Sequence, residues 1–376
     1  MSPDSRTRRF QFAIVATLAA LTAATPGFAQ PTSKPHTFVA PADGNSYTVI
    51  VAGGDPFSSS PSATTIHAVL VPIIVEALDR DGETKATFDA FGPDFCDSLA
   101  LPAWMRFLAS PLVQKSDLKF NGVDVGTVQF STGFKRAEFW NMPGGRLVDD
   151  TLVWTMAPPV IVKASIPTGE VIIYQDPGNP CTQGQARLSQ TFLTDHLTDT
   201  VIPELQKSSV ITTSDLVFFL TDNVVQSGAT PAANSPCCSN GFNGRSEGQG
   251  WAWANYDSFG GTDIKTSSHE IGEWTNSPKG NTSPTWGNIG EAKTCDDTQF
   301  QVGDPLNTAP TIPITINGFT YHLAELAYFG WFYDAPIETW ADLASPYMGL
   351  GGFSSNGTFV GGPHKACPTG GTSNWF

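Results

Sequence analysis

The sequence predicts a mixed α/β (α+β) protein, in which a strand-rich N-terminal half shares a sheet with a C-terminal half that also contains helices. Two observations indicate this class. Between residues 47 and 180, short runs rich in β-branched and aromatic residues alternate with Gly and Pro, as strands and their connections do. From Leu188 onward, apolar residues recur every three to four positions, which is the period of an amphipathic helix.

Length and composition allow one large core or two moderate ones. The 376 residues are 40% hydrophobic, 11% aromatic and 15% charged, a balance typical of a folded chain with two domains or one elaborated domain. We expect three segments: residues 1–29 as a signal peptide, residues 30–180 as a strand-rich supporting region, and residues 181–376 as the region that carries the chemistry.

The N-terminus has the pattern of a secretory signal. Three arginines precede an apolar run from Phe10 to Ala24, and Gly27 and Ala29 place small residues at a cleavage position. A membrane anchor is the alternative, but this run is shorter than the roughly 18 residues that a spanning helix needs. We therefore expect a secreted protein, extracellular or periplasmic, with no integral membrane segment after cleavage behind Ala29.

The chain is strongly acidic, with 20 basic and 35 acidic residues and a formal net charge of −15. Cleavage would remove three arginines and Asp4, which leaves 20 − 3 = 17 basic and 35 − 1 = 34 acidic residues, a net charge of −17. Nucleic acid and anionic membranes would be repelled by such a chain. The charge instead suits solubility outside the cell or the binding of cations.

Six cysteines, an even number in a chain expected to be exported, predict up to three disulfides among 15 possible pairings. They stand at positions 96, 181, 237, 238, 295 and 367. We expect the neighbours Cys237 and Cys238 to pair with different partners, because a bond between adjacent cysteines is strained. No Cys-x-x-Cys pair is present, which argues against a cysteine-rich zinc site.

The predicted elements follow from these patterns in chain order. Strands are predicted at residues 47–52, 67–77, 152–156, 160–164, 171–174, 215–220, 250–256 and 312–316, with a hairpin at 120–130. Helices are predicted around 103–108, 134–140 and from 188 to 205. Pro72 suggests a bulge or an edge in the second strand, Pro203 should interrupt the third helix, and Glu138 is expected on the surface.

The segment Ser267–Trp274 carries the main chemical signal. If it is helical, His269 and Glu273 point from one face, roughly 5–6 Å apart at Cβ, and can hold one divalent metal ion. Glu270 then lies about 100° round the helix, where it can reach a metal-bound water. Thr262 or Asp263 could cap this helix and Pro278 would end it. The alternative is an ordinary charged helix face in solvent.

The pattern of His269, Glu270 and Glu273 resembles the H-E-x-x-H helix of the zincin-like metallopeptidases, with glutamate in place of the second histidine. This HExxE variant supplies a carboxylate oxygen where the family supplies an imidazole nitrogen. The predicted order of helix, strand, strand and helix from 188 to 275 matches what a zincin needs.

Other segments carry fainter resemblances. The segments 269–278, 301–306 and 321–332 look like a set found among uncharacterised secreted bacterial proteins, with a faint exordium-like similarity in the same region. These resemblances cover about a third of the chain and indicate no substrate.

A catalytic zinc site needs a third protein ligand, and three downstream residues are candidates. Asp304 lies in a tight Val-Gly-Asp-Pro turn that can present a carboxylate rigidly, although Asp before Pro is also ordinary turn chemistry. Glu291 has a spacing from Glu273 that resembles the third glutamate of the thermolysin-like branch. We rank these two nearly level and place His322 behind them, because its neighbours predict a packed strand.

The resemblance implies a secreted metal-dependent hydrolase, a zincin-like peptidase that uses a metal-bound water and Glu270 as general base on a protein or peptide substrate. One imidazole and two carboxylates form a harder set than two histidines, so zinc is the first expectation, with manganese or calcium as alternatives. The competing hypothesis is a non-catalytic secreted or wall-associated binding protein with a structural metal site.

Overall fold

The computed structural model describes residues 50–327, apart from 95–98, 121, 175–183, 229–230, 232–236, 258–262, 279–300 and 308. For residues 35–39, 46–49, 237 and 305 it describes the backbone alone. Chain contacts separate Met1–Gln30 from Pro31–Phe376, and the description below concerns the second unit.

The described residues form many short strands and a few helices, which confirms the predicted mixed α/β class. The strands are β1 (Pro35–Val39), β2 (Ser46–Ile50), β3 (Thr64–Leu78), β4 (Thr84–Asp89), β5 (Ser116–Phe120), β6 (Val123–Val128), β7 (Asp150–Met156), β8 (Val160–Ser165), β9 (Val171–Tyr174), β10 (Gln185–Ser189), β11 (Leu216–Asp222), β12 (Val224–Ser227), β13 (Cys237–Ser239), β14 (Gly241–Ser246), β15 (Gln249–Tyr256), β16 (Ile312–Ile316) and β17 (Phe319–Leu323). The α-helices are α1 (Ala103–Leu108), α2 (Phe130–Glu138), α3 (Gln190–His196), α4 (Ile202–Lys207) and α5 (Lys265–Asn276). Short 3-10 helices cover Gly145–Leu147 and Asp304–Leu306.

The largest sheet is organised around β3, which is 15 residues long. The path through the sheet runs β14-β15-β11-β3-β4, and β7 and β8 also pair with β3, off this path. β11 is parallel to both β3 and β15, whereas β14 is antiparallel to β15. Strands from before and after residue 180 therefore share one sheet. Smaller sheets are formed by β13-β12-β10-β9 and by the pairs β1-β2, β5-β6 and β16-β17.

Pro72 lies inside β3 with partner strands on both sides, so the expectation of a bulge or an edge is wrong. On one side it is in register with Leu220, at the end of the β11 pairing. On the other side the β7 pairing ends at Leu70 and the β8 pairing begins at Ile73. Pro72 thus lies between the end of the β7 pairing and the start of the β8 pairing. Its missing N–H removes no hydrogen bond of either pairing, so the central strand can contain a proline at this position.

Alternation along the strands gives the large sheet an apolar layer on each face. One core contains Leu70, Ala252 and Ile271 and lies on the side of α1, α2 and α5, while the other contains Val71 and Trp253 and lies on the side of α3 and α4. Each fully buried large apolar side chain stabilises the fold by about 1.5–3 kcal/mol. The small side chain of Ala252 faces the α5 side, which lets this helix pack closely on β15.

The helix predicted from Leu188 begins two residues later and continues past its proline. A π-helical turn, Leu197–Val201, joins α3 to α4, and Pro203 stands in the first turn of α4. Because proline has no N–H, it cannot form the usual bond to the carbonyl four residues earlier. A wider turn before Pro203 accommodates that loss, so the chain keeps its direction.

A buried ion pair between Lys135 and Asp150 fixes the loop at residues 52–54, which contacts the end of α5. Lys135 Nζ lies 2.9 Å from Asp150 Oδ2 and donates to the carbonyls of Ala52 and Gly54, each at 2.6 Å. Asp150 Oδ1 accepts from Gly54 N at 2.7 Å. Ala52 N in turn donates to the carbonyl of Thr275 at 2.8 Å. The pair therefore holds the loop that receives the last turn of α5.

Glu138 was expected on the surface, and this is wrong because the side chain is fully buried. Eight of the nine residues of α2 are buried, since the helix packs against both the β5-β6 hairpin and α5. A helix covered on several sides has no polar face for the sequence pattern to reveal.

Two other expectations meet the limits of the described residues. Of the six cysteines, only Cys238 has a described side chain, so the predicted disulfide pairing lies outside them. Among the helices that the structure describes, none has both the length and the apolar run needed to cross a bilayer.

Candidate metal centre

The predicted metal-site helix is present as α5, packed against β14 and β15. It begins after Ile264 without a side-chain cap and ends at Asn276, two residues before Pro278. Asp263 does not cap it, because its carboxylate accepts instead from the backbone N–H groups of Ile264 and His322. Thr262, the other predicted cap, lies outside the described residues.

His269, Glu270 and Glu273 of α5 are buried, so the alternative prediction of a charged helix face in solvent is wrong. His269 is 8% exposed, and Glu270 and Glu273 are each 3% exposed. Burying carboxylates is costly unless hydrogen bonds or opposite charges compensate for the lost water. The surroundings of these three side chains therefore need to supply that compensation.

His269, Glu273 and Asp304 bring three ligand atoms together. His269 Nε2 lies 2.9 Å from Glu273 Oε1 and 3.2 Å from Asp304 Oδ1, and all three ligand atoms lie within 4.8 Å of one another. A tetrahedral zinc ion with bonds of about 2.0–2.2 Å would hold its ligand atoms about 3.3–3.6 Å apart. The two distances from the imidazole would have to grow by only a few tenths of an ångström, so the three residues could hold a metal ion.

A close approach of the 301–304 loop to α5 positions Asp304. Gly303 N donates to Glu273 Oε1 at 3.2 Å. A Cβ added at Gly303 would stand closer than 3.0 Å to the His269 ring, a separation that real Cβ atoms essentially never show. The backbone of Gly303 is in the ordinary right-handed helical region, with φ −82° and ψ −35°. Glycine is thus required here by lack of space and not by its conformation.

Glu270 lies beside the three ligand atoms and is held by an amide. Asn243, on β14, donates through Nδ2 to Glu270 Oε2 at 3.1 Å and to Glu273 Oε2 at 2.6 Å. The amide of Gln301, in the orientation that satisfies hydrogen bonding, donates to the same Glu273 Oε2 at 2.6 Å. Glu273 Oε2 therefore accepts hydrogen bonds from two side-chain amides, while Glu273 Oε1 lies next to the imidazole of His269.

Burial and mutual repulsion shift the protonation of this cluster. Burial and the charge of Glu273 raise the pKa of Glu270 well above its ordinary value. Burial also raises the pKa of Glu273, to about 7, although His269 opposes that shift. For His269, burial works against the charged form, but Glu273 and Asp304 outweigh it and raise the pKa well above its usual range. Without a metal, an imidazolium proton thus partly neutralises the cluster.

The balance of charge favours a divalent cation. Glu270, Glu273 and Asp304 bring three carboxylates to one place, and without a metal ion their charge is relieved by the imidazolium of His269 and by the raised proton affinity of the two glutamates. A divalent ion neutralises two carboxylates and satisfies the lone pairs that face the centre. The donor set of one nitrogen and two oxygens is compatible with zinc, manganese or calcium.

The remaining candidate ligands have different fates. Glu291, ranked level with Asp304, lies outside the described residues. Among the described residues, His322 does not join the group of His269, Glu273 and Asp304, and its Nδ1 lies 3.1 Å from Asp263 Oδ2. The sequence reasoning missed Asn243 and Gln301, because an isolated amide in a strand or a loop carries no local signal.

Searches against protein families, curated proteins and solved structures found no significant match to this chain.

Proposed function

We propose that the protein is a secreted metal-dependent hydrolase, a zincin-like peptidase in which His269, Glu273 and Asp304 hold one divalent ion and Glu270 is the general base. One observation carries the proposal: three ligand atoms converge, while a further carboxylate, that of Glu270, stands beside them and accepts a hydrogen bond from Asn243. Such a division between ligands and base is what metal-assisted hydrolysis requires.

A bound zinc ion would supply a water whose pKa is lowered to about 7. Glu270 suits the task of taking that proton, because burial and the charge of Glu273 raise its pKa and make its carboxylate a stronger base. Glu270 would then deliver the proton to the leaving amine of the cleaved peptide. Asn243 holds the carboxylate during both transfers through its bond to Oε2.

The substrate class and the location belong to the same proposal. The substrate would be a protein or peptide, and zinc is the preferred ion, with manganese or calcium as alternatives. The signal pattern before Ala29 supports export, and the even number of cysteines supports disulfides in the exported chain.

The test separates the base from the ligands. Glu270→Gln should lower hydrolysis of a denatured protein substrate by about 10²–10⁴-fold, while the purified chain still contains close to one metal ion. Glu273→Gln, the matched variant one turn away on α5, should lose the metal as well as the activity. Full activity of the Glu270→Gln chain would remove this residue from the mechanism.

The alternative is a non-catalytic secreted or wall-associated binding protein with a structural ion. The burial of the ligands favours it, because structural sites are closed whereas catalytic ones keep an open position. In that case a chelator should lower the melting temperature, and no turnover should be found with any protein substrate. Turnover that is restored by added metal would instead support the hydrolase.

A further inference from the structure

We infer that Asn243 is a positioning residue that decides which carboxylate of α5 binds the ion and which remains free as the base. This inference rests on the proposed function, since it assigns roles within the same centre. Asn243 itself would touch neither the ion nor the substrate and would act through Glu270 and Glu273.

The need for such a residue follows from the helix. Glu270 and Glu273 are three residues apart, which places them about 60° from each other round the helix axis. Both are buried in the same centre and interact electrostatically. A free carboxylate within reach of a divalent ion binds to it, so Glu270 would become a fourth protein ligand. That would fill the position that a catalytic site keeps open for water.

The hydrogen bonds show how one amide prevents this. Asn243 Nδ2 donates to Oε2 of both glutamates, at 3.1 Å for Glu270 and 2.6 Å for Glu273. Glu273 is left with Oε1 toward His269 and the Gly303 N–H, so it can bind an ion through one oxygen. Glu270 has its Oε2 tied to the strand side of the centre.

The sheet fixes the position of this amide. Asn243 is in register with Ala252 of β15 in an antiparallel pair, and such partners project from the same face of a sheet. Ala252 belongs to the core on the α5 side, so Asn243 also faces the helix. Two residues earlier, a Cβ at Gly241 would stand 2.9 Å from Glu270 Oε1, so glycine there leaves room for the carboxylate.

Cobalt(II) alone is the probe for the test, because its visible absorption weakens as the number of ligands rises above four. We expect Asn243→Ala still to bind one Co(II) ion per chain at saturation, to show a weaker absorption band and to lose about 10²-fold in hydrolysis of a denatured protein. The double variant Asn243→Ala/Glu270→Gln should regain the band intensity of the unaltered chain, since the displaced carboxylate is gone. Asn243→Ser replaces the amide with a shorter hydroxyl donor and should give the same changes to a smaller extent. It serves as the test variant if the alanine variant fails to fold.

The matched control is Asn276→Ala. Asn276 is a buried amide on the same helix that donates to the carbonyl of Gly272 at 3.2 Å, so its loss should leave the Co(II) band unchanged. An unaltered band and unaltered hydrolysis in both Asn243 variants would overturn the inference while leaving the proposed function in place. If the unaltered chain bound no Co(II), the proposed function would fail first, and the inference with it.

Discussion

Substituting Gly303 by alanine tests whether the closeness of the 301–304 loop to His269 matters for metal binding. The added Cβ would lie closer than 3.0 Å to three atoms of the imidazole ring. Ordinary carbon contacts need about 3.5 Å, so the ring or the loop must move by about 1 Å. Metal–ligand distances tolerate only about 0.2 Å, and the same movement separates Asp304 from the imidazole.

The expected cost has two parts. Overpacking should lower the free energy of unfolding by about 1–3 kcal/mol. Metal affinity, measured by isothermal titration calorimetry with Zn²⁺, should fall by about 10–100-fold, as it does when the supports of a ligand are disturbed. The matched control is Gly272→Ala, where the three atoms nearest to the new Cβ all belong to the side chain of Leu326, with Cδ1 closest at 2.5 Å. Equal metal affinity in the Gly303→Ala chain and the unaltered chain would show that the close contact between Gly303 and His269 does not matter for metal binding.

Three further results are expected. Lys135→Met should lower the free energy of unfolding, measured by urea titration, by about 3–5 kcal/mol, because it leaves the buried carboxylate of Asp150 without its partner. The control Lys163→Met removes an exposed pair with Glu76 and should change the free energy of unfolding by less than about 1 kcal/mol. Similar small losses in both variants would contradict this prediction. His322→Ala should lower stability but leave Zn²⁺ affinity unchanged, and a drop in affinity would place His322 among the ligands. Metal affinity should rise as the pH rises through about 7, the pKa of Glu273, because His269 and Glu273 must release protons, and calorimetry in two buffers should detect that release.

The raised pKa values of Glu273 and His269 also predict how the stability of the metal-free chain changes with pH. The folded pKa of Glu273 is about 7, above its ordinary value of 4.5, so the folded state holds a proton that the unfolded state has released between these values. Stability from this group is therefore complete below about 4.5 and is lost as pH rises through about 7. The raised pKa of His269 acts in the same direction. The melting temperature of the metal-free chain should therefore fall as the pH is raised from about 4.5 to about 7. A melting temperature that rises over this range would contradict the raised pKa of Glu273.

The sequence was sufficient to predict α5, the helix that carries His269 and Glu273 of the candidate metal centre. His269 and Glu273 are one turn apart, so their proximity follows from helix geometry alone once the segment is helical. Asp304 could be proposed because a Gly-Asp-Pro turn is locally rigid, but its rank against Glu291 could not be decided from spacing. The contact depends on Gly303 fitting against the imidazole, which is a tertiary fact.

The supporting amides could not be predicted, for a related reason. Asn243 is 27 and 30 residues from the glutamates it contacts, and it reaches them because β14 pairs with β15 beneath α5. Nothing in the sequence near Asn243 encodes that pairing. The misjudged Glu138 shows the same limit, since its burial depends on neighbours contributed by a distant hairpin and by α5.

The most direct test is an anomalous-scattering map from crystals of the mature chain grown with zinc. We predict one strong peak about 2.0–2.2 Å from His269 Nε2, the carboxylate of Glu273 and Asp304 Oδ1, with Glu270 outside bonding distance. A map without a peak at these three atoms, or with its peak at another cluster, would contradict the metal centre.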